Sequence, residues 1–183
     1  MVKLIAFVLA SAGLTWVSWR SLWAPGSHGF YRFIAWELIV ALFLLNVDAW
    51  FMDPFSWHQL LSWFLLTASI FPVVLGVRSL AGQGTPAEHR EGAAHLLAFE
   101  KTTTLVTTGI YRYIRHPLYS SLLFLAWGIV FKVPTWIGAF LALAATLSLH
   151  ATAKADEAEC LRFFGPDYEA YMRRTKRFVP FLL

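Results

Sequence analysis

Five apolar segments, near Val2–Trp19, Phe30–Trp50, Phe55–Leu80, Leu118–Phe131 and Thr135–Ala153, occupy most of the chain. A hydrocarbon layer about 30 Å thick takes about 20 apolar residues of helix to cross, and these segments approach or meet that length. Composition agrees: 58% of the residues are hydrophobic and only 14% charged, with a mean hydropathy of +0.57, whereas an ordinary soluble domain is roughly 25% charged. A soluble globule, a disordered chain and a secreted disulfide scaffold are thereby excluded. The fold expected is an all-α integral membrane protein of about five transmembrane helices, with a C-terminal helical hairpin and a cytoplasmic amphipathic tail.

Residues 1–183 read as a single membrane domain: three N-terminal spans over 1–80, a cytoplasmic loop over 81–117, a helical hairpin over 118–153 and a tail over 154–183. The hairpin follows from Lys132-Val133-Pro134, a connection tight enough to make the two helices antiparallel neighbours. Lys3, a short apolar run and Ala10-Ser11-Ala12 imitate a signal peptide. The apolar pattern nevertheless continues through Leu14-Thr15-Trp16-Val17, so the segment is read as a retained span.

Charge sets the expected orientation. With the N-terminus outside, every Lys and Arg except Lys3 and Lys132 falls on the cytoplasmic side, and the Asp48–Trp57 loop carries Asp48 and Asp53 without a Lys or Arg. The positive-inside rule selects that arrangement. The net charge of +4 is then a matter of placement and not a nucleic-acid footprint, so no nucleic-acid partner is expected. The single cysteine, Cys160, can neither form an internal bridge nor build a cysteine metal site, and no metal is expected. Trp19 and Trp23 at one end, with Trp50, Trp57 and Trp136 at the other, read as aromatic belts, and Pro72 predicts a kink in the third span.

Two stretches differ from membrane filler, 81–117 and 154–183. The first is polar at Gly82, Gly84, Glu88, His89, Arg90 and Glu91, then runs as Gly109-Ile110-Tyr111-Arg112-Tyr113-Ile114-Arg115-His116-Pro117-Leu118-Tyr119 into a helix. Pro suits the first turn of that helix. Its N-terminus, beside Arg115, offers backbone N–H groups and a positive dipole end to a carboxylate or phosphate, although arginines and tyrosines at an interface also serve simply as anchors. In the second stretch Asp156-Glu157 follow the fifth span directly. Leu161, Phe164, Tyr168, Tyr171 and Met172 approximate helical spacing, interrupted near Gly165-Pro166, which predicts a tail folded back on the membrane surface. The basic run Arg173-Arg174-Thr175-Lys176-Arg177 is expected to meet anionic membrane lipids. Carboxylates beside a membrane are costly unless solvated or paired, and Glu159 reads first as solvated.

In order and spacing, the run from Gly109 to Tyr119, the hairpin, Asp156-Glu157, Phe164-Gly165-x-x-Tyr168-x-x-Tyr171 and Arg177-x-x-Pro180 resemble the C-terminal half of the isoprenylcysteine carboxyl methyltransferase and phospholipid methyltransferase family. The resemblance implies an integral membrane methyltransferase using S-adenosylmethionine. It further implies that Tyr111, Arg115, His116, Pro117, Leu118 and Tyr119 line the cofactor pocket, that Asp156 and Glu157 complete it from the tail, and that Arg115 and Glu157 act in catalysis. Two positions depart from the pattern: Thr152 stands where the isoprenylcysteine enzymes place an arginine, and Asp156 replaces a glutamate. The acceptor implied is a lipophilic small molecule or lipid: an isoprenylcysteine carboxylate, a phospholipid amine, a quinone-like phenol or a lipophilic thiol.

Two other classes compete. A sterol- or steroid-type membrane reductase holding a nicotinamide cofactor would need an acid such as Tyr113 or Glu37 near its substrate. A non-catalytic scaffold or small-solute passage would have only Glu37 and Asn46 as polar points along its second span. His150 reads as a packed or interfacial histidine, and His58, at the outer surface, is assigned no chemistry.

Overall fold

Helix-forming residues continue further than hydropathy alone indicates. In a computed structural model describing residues 1–83 and 104–180, six α-helices form: α1 (Val2–Leu22), α2 (His28–Asn46), α3 (Trp57–Gln83), α4 (Pro117–Val130), α5 (Trp136–Phe164) and α6 (Pro166–Arg174). No strand forms among the described residues; Ile114 and Lys176 make one isolated parallel bridge. Gly84, Glu88, His89, Arg90, Glu91 and Lys101 lie outside the described residues.

Four helices, α1, α2 with its short 3-10 extension, α3 and α5, are long and apolar enough to cross a membrane. The expected fourth span falls short: α4 has 14 residues, about 21 Å at the α-helical rise. Pro117 fixes its start and the turn after Val130 its end, so four helices meet the length for crossing where five are expected. By contrast α5 runs 29 residues, about 43 Å, well past Ala153. Lys154, Ala155, Glu157, Ala158 and Glu159 are good helix formers, so the helix carries its acidic turns beyond its apolar part. Gly165, at φ 56°, ends it, and Pro166 opens α6.

Packing pairs α4 with α3, α5 with α2, and α1 with α2. Gly128 lets α4 approach α3 closely: a Cβ there would stand 3.1 Å from the Leu66 backbone nitrogen, and Ser62 Oγ donates to the Gly128 carbonyl at 2.7 Å. Ile39, Leu42, Ala126, Ile129, Ala142 and Ala145 form one core cluster, and Ala35, Tyr119, Leu149, Ala153 and Phe178 form a second one beside the acidic turns. Pro72 is accommodated inside α3, which continues through it. Asn46 donates within its own helix to the Leu42 carbonyl, and Glu37 accepts from Ser11 Oγ at 2.6 Å, joining α1 to α2.

Charged and polar contacts gather at the two ends of the bundle. At one end Lys3 pairs with Asp48 at 2.6 Å and His58 Nδ1 meets the Phe131 carbonyl at 3.1 Å. Lys132, 1% exposed, is held at the same end by Gln59 Oε1 and the Trp50 carbonyl. Arg115 and Arg177 gather at the other end. There the tail folds back on the bundle itself. Residues 175–178 return to the segment before α4: the Arg115 N–H donates to the Lys176 carbonyl at 2.8 Å, the His116 N–H to Arg177 at 3.1 Å, and the Lys176 N–H to Tyr113 at 3.1 Å. Tyr168, Tyr171 and Phe178 are buried by this return, and that burial, with paired backbone, stabilises it.

Candidate active site

The site is assembled at the start of α4. Gly109, at φ 59°, turns the chain into a 3-10 turn over Gly109–Arg112 that buries Tyr111, whose carbonyl accepts the Tyr171 hydroxyl at 2.7 Å. His116 precedes Pro117 as the N-cap of α4 and makes no side-chain cap bond, so its imidazole extends across to α5 instead. It stacks on Tyr119, with ring centres 5.2 Å apart, and touches Phe178.

Glu157 is the hub. It is 4% exposed and accepts from Arg115 Nε at 2.9 Å, from Arg177 Nε at 3.0 Å and again from Arg177 Nη2, while His116 Nε2 stands 3.2 Å from the same carboxylate. Arg115 also donates through Nη1 to the carbonyls of Met172 and Thr175. Its cation is thus turned inward, bracing the tail. Asp156, on the neighbouring position of α5, accepts the Tyr119 hydroxyl at 3.1 Å and lies 3.5 Å from His116 Nδ1. Burial would lower the His116 pKa, but hydrogen bonds and charge from Asp156 and Glu157 outweigh it and hold the imidazole above its ordinary value. Hydrogen bonding to Glu157 likewise raises Arg177. Burial pushes the Tyr168 and Tyr171 phenols far up, leaving them neutral hydrogen-bonding groups and not bases.

A cavity opens between α3, α4 and the acidic turns of α5. Tyr111, Arg115, His116, Pro117, Leu118, Tyr119 and Asp156 all line it, together with Leu80, Thr104–Val106, Glu159, Cys160, Phe164, Tyr168 and Tyr171. Of the residues expected at the pocket, only Glu157 is set behind the wall. Glu159 and Cys160 are additions. Their signal is spacing: once α5 continues, residues three and four after Asp156 share its face. His28 is a further addition with no local signal. Fully buried in the first turn of α2, it places Nδ1 2.9 Å from Glu159 Oε2, and its backbone N–H 3.4 Å from Oε1. Tyr113 is exposed and Glu37 is bonded to Ser11 far along α2; neither lines the cavity. Among the described residues no cluster of His, Cys, Asp or Glu could hold a metal ion.

The description of the matching family model is phospholipid methyltransferase, and the match covers residues 57–165. Comparison with curated proteins and with solved structures gave no match. The matched range contains α3, α4 and α5 whole, and with them most of the cavity wall; His28, Tyr168, Tyr171 and Arg177 lie outside it.

Proposed function

Because this chain belongs to the phospholipid methyltransferase family and is thereby an integral membrane methyltransferase, we propose that its cavity binds S-adenosylmethionine and passes the methyl group to a small lipophilic or amphiphilic acceptor. The observation that carries this reading is the character of the cavity wall. Among the described residues its solvent-reachable charges are carboxylates, Asp156 with 23% and Glu159 with 26% of their side chains exposed, while Arg115, at 8%, is spent on internal partners. Tyr111, Phe164 and Tyr168 add aromatic faces. Anionic and aromatic groups together suit a cationic ligand, and the first turn of α4 favours a carboxylate. These residues therefore fit the cofactor's sulfonium, ammonium and carboxylate.

When bound, S-adenosylmethionine supplies an activated methyl carbon. What remains for the protein is alignment and exclusion of water. Glu157 fixes Arg115, His116 and Arg177, and so locks the tail against the start of α4; the aromatic rings of α6 close the wall. Asp156, Tyr119 and His116 form a bonded set that holds the pocket face of α5 in register with α4.

Among acceptors, the phospholipid amine fits best. Thr152, where an isoprenylcysteine enzyme has its arginine, is fully buried and donates back to the Ser148 carbonyl at 2.8 Å, so this position offers no cation to a substrate carboxylate. A lipid would reach the cavity laterally, and the positive-inside rule puts the site on the cytoplasmic side. The test is binding of S-adenosylmethionine and of nicotinamide dinucleotides to the purified protein in lipid nanodiscs, followed by labelled methyl transfer to ethanolamine lipids, prenylcysteine, phenols and thiols. S-adenosylmethionine binding with labelling of the ethanolamine lipid is the expected result. Nicotinamide binding without S-adenosylmethionine binding would overturn the reading in favour of a reductase.

A further inference from the structure

Three carboxylates face the junction of α4 and α5, and their partners separate their roles. Glu157 is enclosed by Arg115, His116 and Arg177. Asp156 receives the Tyr119 hydroxyl on Oδ2 and the Cys160 thiol on Oδ1, at 3.1 and 3.6 Å. Glu159 also lines the cavity, but it is anchored from a different part of the chain. The imidazole and the backbone N–H of His28 address its two oxygens separately. An amide in the first turn of a helix has no partner within that helix, and the positive end of α2 favours an anion there. Two donors on two oxygens fix the plane of the carboxylate as well as its position.

We propose that Glu159, positioned by His28, binds an ammonium group presented in the cavity by the methyl donor or by the acceptor. This rests on the reading of the cavity as a methyl-donor site. An ammonium matches a carboxylate because it has N–H bonds to donate; a sulfonium has none and is served instead by the aromatic faces. His28 is a positioning residue in this arrangement, and through it α2, none of whose residues lines the cavity, helps set ligand selectivity.

The experiment uses the full chain in lipid nanodiscs and compares affinities for S-adenosylhomocysteine and its deaminated analogue. The wild type is expected to prefer the amine-bearing ligand by about tenfold or more, the scale of one charge-assisted hydrogen bond. Glu159→Gln and His28→Ala should abolish that preference while leaving affinity for the deaminated analogue unchanged. His28→Asn, which keeps an N–H donor near the Nδ1 position, should retain it. If the acceptor supplies the ammonium, the preference stays put and Glu159→Gln instead raises KM for an ethanolamine lipid about tenfold at unchanged donor affinity. Equal weakening toward both donor ligands, or no change in either preference or acceptor KM, would overturn the proposal and leave Glu159 as a cap on α2. A wild type that binds no S-adenosyl ligand would overturn the cavity reading itself, and this inference with it.

Discussion

Arg177 grips both carboxylate oxygens of Glu157, with Nε on Oε1 at 3.0 Å and Nη2 on Oε2. The pair joins the end of the chain to the last turns of α5, and the same carboxylate holds Arg115 from the segment before α4. Removing one partner of a buried ionic network leaves its charges uncompensated and costs about 3–5 kcal/mol. Glu157→Ala is therefore expected to lower stability by that order, read as a large drop in thermal midpoint in detergent. The control is Glu169→Ala, which breaks the exposed pair with Arg173 and should change stability by less than about 1 kcal/mol. Equal midpoints for the two variants would show that Glu157 is not the hub of the site.

The second prediction concerns pH. His116 stands between Glu157, on Nε2, and Asp156, on Nδ1, and only the imidazolium can donate from both nitrogens. Burial opposes the charged form, yet the two carboxylates prevail and raise the pKa above its ordinary value of 6.5. A raised basic group contributes stability that is fully present below the unfolded value and lost as pH rises through the folded one. The thermal midpoint is thus expected to fall as pH climbs from about 6.5 through the raised folded value, and His116→Gln should flatten this part of the profile. A wild-type profile parallel to that of His116→Gln throughout would refute the charged bridge.

How much of this was legible in the sequence depends on how far each contact reaches along the chain. The run from Gly109 to Tyr119 is contiguous, so its turn, its helix start and its cavity-lining side chains could be read locally. Asp156 and Glu157 follow the apolar part of α5 directly, but sequence order could not say that Glu157 turns inward while Asp156 faces the cavity. The His28–Glu159 pairing spans 131 residues and leaves no trace in local pattern; Glu159 alone reads as a solvated carboxylate. The length of α5 was missed for another reason. Hydropathy stops at Ala153 because charge begins there, whereas helix propensity does not stop, and the acidic turns ride on a helix already anchored in the bundle. The short α4 departs in the opposite direction: its 14 residues fall below the usual length of a span, although it runs from the Arg115 end of the bundle to the Lys132 end.

Lys132 supplies the third prediction. From charge pattern it was only a cation left on the outer side, but its Nζ lies 3.4 Å from the Trp63 ring centre and 5.0 Å from that of Trp50, besides bonding Gln59 Oε1 at 3.0 Å. Desolvated cation–π contacts contribute about 2 kcal/mol or more, and this one ties the starts of α3 and α5 to the ends of α2 and α4. Lys132→Met, which keeps the stem and loses the charge, should destabilise by about that amount and shift the tryptophan emission. Donor affinity should be unaffected, because the site lies at the other end of the bundle. An unchanged midpoint in Lys132→Met would mean that the ammonium adds nothing to the clamp.

The last prediction turns on Gly109, where backbone conformation and space act together. Its φ of 59° lies in the left-handed region, costing an L-residue with a side chain about 1–2 kcal/mol, and a Cβ added there would stand 2.5 Å from Ser79 Oγ on α3. That hydroxyl is bonded to the Leu75 carbonyl at 2.8 Å, so it can rotate away only by giving up this bond. Gly109→Ala should therefore lose both the favourable turn and the close seating of the 3-10 turn on α3. Tyr111 sits two residues on, its carbonyl tied to the Tyr171 hydroxyl, so the displacement is transmitted to the cavity wall. Weaker S-adenosylmethionine binding is expected along with a lower thermal midpoint. Adding Ser79→Ala to Gly109→Ala removes the clash but not the conformational cost, and should restore part of the loss. Full restoration by Ser79→Ala would show that space alone requires the glycine, and no restoration that the backbone conformation alone does; partial recovery is the outcome that this geometry predicts.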